Sequence, residues 1–278
     1  MKRLLVSILL IFVVASSASA ERIIRVLALG NSFSRDVVEQ NLHELAANEG
    51  VTLIIGNMYI GGCTLEKHLK NGKSDKAAYS YRKIDRDGVR SVTPKQTLED
   101  GLSDEKWDYI VIQQQSALAG VYCSYGRYLP ELMAFCHEYA PKAKFALQQT
   151  WAYEGDATNN QFAFYEYDQM KMYEAIVDAT KRIYEEKQYE FVMLFPVGTA
   201  IQNARTSHLG DNLTADGFHL EKVIGRYIGA CVWCEILTGK SVVGNKYAPN
   251  GASEQDILAA QKAAHEAVSH PYAVTKIK

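Results

Sequence analysis

Five short apolar runs occur along the chain, and each is about as long as a β-strand. They cover residues 23–29, 51–58, 109–113, 145–149 and 191–195. Their apolar residues follow one another without alternating with polar ones, which is typical of strands buried on both faces of a sheet. Stretches with helical spacing, for example 37–48, 129–139, 169–186 and 222–237, separate them. The pattern therefore predicts an α/β domain with a parallel sheet.

One polar and charged segment, residues 71–107, breaks this repeat. Two short runs on either side of Asp87-Gly88 have the composition of a β-hairpin with a tight turn. We expect the segment to pass over the top of the sheet. Its tyrosines and arginines favour a flap that contacts substrate, and a solvated surface excursion is the alternative.

The N-terminus has the composition of a secretory signal peptide over residues 1–20. Lys2 and Arg3 precede an apolar stretch that ends in Ala18-Ser19-Ala20. The apolar core of roughly a dozen residues falls short of the ~20 needed to span a bilayer. We therefore expect cleavage near Ala20 and no stable membrane insertion afterwards. A single domain over residues 21–278 would then be periplasmic or secreted.

Charge and cysteine content narrow the function classes. Without Lys2 and Arg3 the 30 basic residues become 28, against 32 acidic ones, so the net charge is near −4. This balance argues against a nucleic-acid partner. The five cysteines are an odd number for an exported protein. Cys231 and Cys234 lie in an apolar, helix-like stretch, which favours small buried residues, with a local disulfide or thiol redox role as alternatives. We expect neither a metal nor a cofactor, and the oligomeric state stays open.

A candidate nucleophile, Ser32, follows the first apolar run directly. In an open parallel sheet, ligands bind at the carboxyl ends of the strands, where this run delivers Gly30-Asn31-Ser32. Serine is also a common helix N-cap. If Ser34 or Asp36 caps the following helix, Ser32 is free for chemistry.

Near the other end of the chain, His219 is a candidate general base and Asp216 the carboxylate that would orient it. At a spacing of three residues in a tight turn, the carboxylate can reach imidazole Nδ1 and leave Nε2 pointing outward. Such a pair would activate Ser32 for acyl transfer. The alternative is a helix-capping aspartate beside an unrelated surface histidine.

Two further strand ends supply candidate hydrogen-bond donors for an oxyanion. Gly62 follows the second run, where glycine lets a backbone N–H approach a substrate. Gln113 and Gln115 follow the third, and a glutamine amide donates without carrying charge. A tight turn and strand-end capping are the structural alternatives. We expect these residues and Asn31 to surround the substrate.

These segments resemble the SGNH (GDSL-like) hydrolases, in a divergent exported branch of the domain-of-unknown-function type. Gly30-Asn31-Ser32-Phe33 is similar to their nucleophile block, Gly62 to their second-block glycine, and Asp216-Gly217-Phe218-His219 to their final Asp-x-x-His block. The resemblance implies a three-layer α/β/α, flavodoxin-like fold and ester hydrolysis through an acyl-serine intermediate, without a metal. It also implies an oxyanion hole made by the N–H groups of Ser32 and Gly62 and a third-block asparagine side chain.

The chain departs from that pattern in the third block, normally Gly-x-Asn-Asp. Here the segment is Gln113-Gln114-Gln115-Ser116, so Gln115 would take the place of the asparagine. We expect removal of acetyl or another small acyl group from a carbohydrate, with Trp107 and Trp151 near strand ends as faces for sugar rings. The alternatives are a lipase- or thioesterase-like hydrolase and a catalytically weak glycan-binding protein.

Overall fold

The structure, a computed structural model, describes residues 21–278, so the predicted signal peptide lies outside the described residues. Seven strands form one sheet in the order β4-β3-β2-β1-β5-β6-β7. The strands are β1 (Arg22–Gly30), β2 (Val51–Tyr59), β3 (Tyr79–Ile84), β4 (Arg90–Gln96), β5 (Tyr109–Ile112), β6 (Lys144–Gln149) and β7 (Phe191–Pro196).

The five predicted runs are the five parallel strands of this sheet. β1 pairs in parallel with β2 and β5, β5 with β6, and β6 with β7. This arrangement is the flavodoxin-like order 2-1-3-4-5. Val26 and Ala28 of β1 pack into one hydrophobic core, and Leu27 and Leu29 pack into the other. Burial on both faces is therefore why these strands are apolar at successive positions.

Nine α-helices of residues 21–278 cover the sheet. They are α1 (Ser32–Val38), α2 (Leu42–Asn48), α3 (Leu65–Lys73), α4 (Leu98–Ser103), α5 (Tyr128–Tyr139), α6 (Gln169–Glu186), α7 (Val197–Arg205), α8 (Ile224–Thr238) and α9 (Glu254–Ser269). Helices α1, α2, α7, α8 and α9 pack on one face and α3, α4 and α5 on the other, while α6 contributes to both cores. The three-layer α/β/α prediction is confirmed. Within residues 21–278, no helix has the length and apolar content required to cross a bilayer.

The helix expected over residues 37–48 is in fact two helices. α1 ends at Val38 and α2 begins at Leu42. Between them Asn41 adopts a φ of 66°, a left-handed conformation that interrupts the helical hydrogen bonds. The apolar spacing continues across the break, which is why the pattern resembled one helix.

The polar segment forms the predicted hairpin, but its position differs from our expectation. β3 pairs antiparallel with both β2 and β4, so the hairpin extends the sheet at its edge and makes it mixed instead of purely parallel. Tyr79 and Tyr81 are buried, because alternate residues of β3 face the core beneath α3 and α4. The prediction of a substrate-contacting flap over the sheet is therefore wrong.

The cysteines form no disulfide with one another, and all five lie within the described residues. Cys231 and Cys234 are buried in α8, as small core residues are. Burial raises the pKa of the Cys234 thiol to about 12, so it stays protonated and unreactive.

Candidate active site

Ser32 is the first residue of α1, immediately beyond the carboxyl end of β1. The helix is capped by Asn31, whose side-chain oxygen accepts a 3.0 Å hydrogen bond from the Phe33 N–H. The expectation that Ser34 or Asp36 caps this helix is wrong. The Ser34 hydroxyl is buried and donates to the Asn31 carbonyl and to Asn57. Ser32 has neither role and is partly exposed.

Asp216 and His219 are joined by a hydrogen bond in a tight turn. His219 Nδ1 lies 2.7 Å from Asp216 Oδ2. The other carboxylate oxygen accepts from the backbone N–H groups of His219 and Phe218 at 2.8 and 3.3 Å. Burial opposes the charged form of Asp216, but the hydrogen bonds from His219 and the backbone outweigh it and lower the pKa of this carboxyl group. The charged carboxylate therefore fixes the imidazole with Nδ1 toward it.

Ser32 and His219 line the same pocket, which has a volume of about 330 Å³. The other residues of its wall are mainly small or polar: Asn31, Arg35, Tyr59, Gly61, Gly62, Gln115, Ser116, Tyr153, Asn159, Gln161 and Phe218. Within the described residues 21–278, no hydrogen bond joins the Ser32 hydroxyl to the His219 imidazole, although both line the pocket. Catalytic hydrogen bonds are often long without substrate.

A buried carboxylate holds the serine helix against the histidine turn. Asp36 is fully buried on α1, and it accepts from the Leu220 N–H at 3.0 Å and from Arg226 at 2.8 Å. Burial raises the pKa of Asp36, while the nearby Arg226 charge acts in the opposite direction. Because Leu220 directly follows His219, these contacts set the position of the imidazole relative to α1.

Aromatic packing supports the same junction. The rings of Phe33 and Trp151 stack with centroids 3.9 Å apart, and Trp151 Nε1 donates to the Phe218 carbonyl at 2.7 Å. Trp151 and Trp107 are both buried, so the expectation that they present faces to a sugar is wrong. Their apolar area stabilises the core. The aromatic side chains in the pocket wall are Tyr59, Tyr153 and Phe218.

Both candidate oxyanion donors line the pocket, but the Gln115 side chain is already hydrogen-bonded to neighbouring residues. Gly62 lines the pocket with a φ of 60°, a conformation that favours glycine. Gln115 also lines the pocket, but its amide donates to Gln161 Oε1 at 3.2 Å and its oxygen caps the turn at Leu118. The same amide nitrogen lies 3.4 Å from Ser116 Oγ, so an oxyanion bound by Gln115 would replace one of these two long contacts.

Gln113 does not contact the pocket, in contrast to our expectation. It is buried, and its amide donates to Asn31 Oδ1 at 3.0 Å. Asn31 in turn donates to the Cys63 carbonyl at 3.0 Å, next to Gly62. Gln113 is thus a positioning residue that connects the serine block to the glycine block.

Sequence reasoning missed several pocket residues. Arg35 lies three positions after Ser32 on a short helix, so helical spacing could have indicated it. Tyr153 and Asn159 lie in irregular backbone between β6 and α6, and Gln161 lies in the short 3-10 helix that Asn159 caps, so no long periodic pattern marks them. Within residues 21–278 no group of three or more histidine, cysteine or acidic side chains is arranged to hold a metal ion.

The family comparison agrees with this architecture. The sequence profile of DUF4886, a domain of unknown function, matches residues 25–267. The chain belongs to the DUF4886 family. A crystal structure of a DUF4886 protein from Bacteroides uniformis is 48% identical, with a TM-score of 0.89, over 92% of this chain and 100% of that one. No curated protein matched the sequence.

More distant structures share the fold. A candidate SGNH hydrolase from Slackia heliotrinireducens is 21% identical, with a TM-score of 0.53, over 78% of this chain and 100% of that one. A candidate GDSL-like lipase from Parabacteroides merdae is 14% identical, with a TM-score of 0.52, over 79% and 97%. This DUF4886 chain therefore has the SGNH hydrolase fold, and the resemblance to a divergent SGNH-like branch is confirmed.

Proposed function

We propose that the protein is a serine ester hydrolase that acts through an acyl-serine intermediate. The observation that carries this proposal is one pocket lined by Ser32 and by His219, whose Nδ1 is held 2.7 Å from Asp216. This leaves Nε2 as the nitrogen that can accept a proton. The three side-chain types and their roles match a nucleophile, a base and an orienting carboxylate.

The reaction follows from these positions. Ser32 Oγ attacks the acyl carbonyl while His219 Nε2 takes the hydroxyl proton, and the Asp216 carboxylate stabilises the resulting imidazolium. The backbone N–H groups of Ser32 and Gly62 donate to the oxyanion, joined by the Gln115 amide once it releases either Gln161 or Ser116. The imidazolium then protonates the departing alcohol. Water, deprotonated by His219, attacks the acyl group and releases the acid and Ser32.

The pocket favours a small acyl group on a sugar. Its volume is at the low end of ligand pockets, and its wall carries the amides of Gln115, Asn159 and Gln161. Amides pair with sugar hydroxyl groups, whereas a long acyl chain needs an extended apolar groove. We therefore propose a carbohydrate O-acetylesterase, acting after export from the cytoplasm as the N-terminal sequence predicts. A lipase- or thioesterase-like hydrolase is the second enzymatic candidate.

Substitution of Ser32 tests the hydrolase proposal. We expect Ser32→Ala to lower kcat/KM for a chromogenic acetyl ester by about 10³-fold or more, because the covalent intermediate cannot form. Ser241→Ala is the matched control, since Ser241 also lies beside a histidine, 3.4 Å from His265 Nδ1. Equal rates for wild type and Ser32→Ala would refute the proposal.

Longer esters and glycans separate the candidates. A steep fall in kcat/KM from acetyl to octanoyl esters is expected for an acetylesterase, and the reverse order would favour the lipase-like reading. Glycan binding without any ester turnover would indicate a binding protein.

A further inference from the structure

One guanidinium group stands in the wall of the pocket. Arg35 follows Ser32 by three residues on α1, so the two side chains lie on the same side of the helix. Among the described residues that line the pocket, Arg35 is the sole lysine or arginine, and none is aspartate or glutamate. The chain as a whole is acidic, with 32 acidic against 30 basic residues. The pocket therefore differs in charge from the rest of the molecule.

The neighbouring Asp36 carboxylate pairs only weakly with the Arg35 guanidinium. Arg35 reaches Asp36 at 3.2 Å through Nη2 and at 3.4 Å through Nε, at or beyond the long end of good hydrogen bonds. Asp36 has closer partners in Arg226 at 2.8 Å and the Leu220 N–H at 3.0 Å. The Asp36 side chain is fully buried, whereas 28% of the Arg35 side chain is exposed. Arg35 thus has donors open to a ligand.

Tyr59 supports the guanidinium from the side. The central carbon of the Arg35 guanidinium is 5.8 Å from the centroid of the Tyr59 ring, and that of Arg82 is 4.4 Å from the same centroid. Arg82 is paired with Glu39 at 3.0 Å and does not line the pocket. Of the two cations on this ring, Arg35 is the one available to a bound molecule.

We propose that Arg35 binds an anionic group, a carboxylate or a sulfate, on the sugar that carries the scissile ester. This inference rests on the proposed function and names its substrate class as acetylated acidic glycans. A planar guanidinium fork matches either anion through two parallel hydrogen bonds. No carboxylate among the described residues lines the pocket, and Asp36 beside Arg35 is buried and paired more closely with Arg226.

Paired substrates and an arginine variant test the assignment. The substrates are acetylated methyl glycosides of glucuronic acid, of 6-sulfated glucose and of glucose, each with acetyl at the same position. We expect wild type to prefer an anionic sugar over the glucoside in kcat/KM, and Arg35→Gln to lower that preference by about 10-fold or more. Preference for uronate or for sulfate identifies the anion. Arg182→Gln, which removes an exposed charge on α6, is the matched control and should keep the wild-type ratio.

Two further measurements keep the test decisive. Arg35→Lys should retain part of the preference, and added salt should raise KM for the anionic sugars more than for the glucoside. These serve if Arg35→Gln does not fold. A substrate ratio that is the same in wild type and the Arg35 variants, or that does not respond to salt, would overturn the inference.

Binding separates this inference from the proposed function. Calorimetry on Ser32→Ala, with and without Arg35→Gln, measures affinity for the same glycosides without turnover. If no ester is hydrolysed but the anionic sugars bind more tightly through Arg35, the hydrolase proposal fails and the anion site stands. If esters are hydrolysed but the affinity for anionic sugars does not depend on Arg35, the hydrolase proposal stands and the anion site fails.

Discussion

Two regions of the molecule bring together a serine, a histidine and a carboxylate, and they are built differently. At the carboxyl edge of the sheet, Asp216 holds His219 Nδ1, and Ser32 lines the same pocket as His219. Between α8 and α9, Glu235 Oε1 lies 2.8 Å from His265 Nδ1, and Ser241 Oγ lies 3.4 Å from that same nitrogen.

The difference lies in which imidazole nitrogen each partner uses. A base that activates serine needs the carboxylate at one ring nitrogen and the hydroxyl at the other. In the α8–α9 cluster both partners compete for Nδ1, and Glu235 also accepts from the Val242 N–H. That cluster therefore connects two helices and a loop. Composition and proximity alone would have selected either region; the geometry of the ring nitrogens distinguishes them.

Substitution of His219 and of His265 should give the largest difference between the two regions. We expect His219→Ala to lower kcat for an acetyl ester by about 10³-fold or more, since the serine loses its base. His265→Ala should leave kcat near the wild-type value and lower the free energy of unfolding by about 1 kcal/mol, the scale of one hydrogen bond. Steady-state kinetics and urea denaturation measure both effects. Equal losses of kcat in the two variants would contradict the assignment of the base.

The orienting carboxylate should have a smaller effect on the same reaction. Asp216→Asn keeps the shape of the side chain but removes the charge that stabilises the imidazolium, and we expect kcat to fall by about 10²-fold. Nearly half of the Asp216 side chain is exposed, so water can replace part of its contribution.

Asp256→Asn is the matched control for Asp216→Asn, because His208 Nε2 lies 2.8 Å from Asp256 Oδ1 outside the pocket. Rates measured in single-turnover experiments should be unchanged in that variant. A comparable loss in both variants would argue that Asp216 has no special part in the chemistry.

His68, unlike His219 and His265, has no carboxylate partner within residues 21–278, and we expect it to make the free energy of unfolding depend on pH. His68 is buried, with Nδ1 3.0 Å from the Tyr79 hydroxyl and Nε2 without a hydrogen-bond partner among the described residues. Burial lowers the pKa of His68 to about 4. In the unfolded chain the pKa is about 6.5, so the unfolded state binds the proton first. The free energy of unfolding should therefore decrease by up to about 3 kcal/mol as the pH falls from 6.5 to 4.

Urea titrations at pH 7, 5.5 and 4.5 measure this effect. We expect His68→Gln to be less stable than wild type at pH 7 but to lose less stability on acidification. His208→Gln, at an exposed histidine, controls for the general effect of acid. Parallel pH profiles for wild type and His68→Gln would show that His68 is not the titrating group.

Much of the fold was predictable because strands that are buried on both faces of a sheet have continuous apolar sequences. The five parallel strands were found where apolar residues run continuously. The hairpin was found from its turn at Asp87-Gly88, but its place at the sheet edge depends on pairing with β2, a long-range contact that no local pattern encodes. The break at Asn41 was missed because a single residue with positive φ leaves apolar spacing intact.

The site was predictable where short motifs sit at strand ends. Ser32, Gly62 and Gln115 follow strands and line one pocket with His219, which was predicted from its spacing to Asp216. The roles within that set were less accessible. Gln113 was expected at the substrate and instead supports Asn31, because successive residues beyond a strand point in different directions.

The buried pair of Asp36 and Arg226 links segments that are far apart in the chain. One belongs to the first helix after β1, and the other to the helix that follows the histidine turn. A dehydrated carboxylate without its cation is unfavourable, so neither segment can dock stably alone. Assembly of the pocket that holds Ser32 and His219 is therefore tied to completion of the whole domain, and under the proposed function a nascent or clipped chain without the C-terminal portion would leave Ser32 without its base.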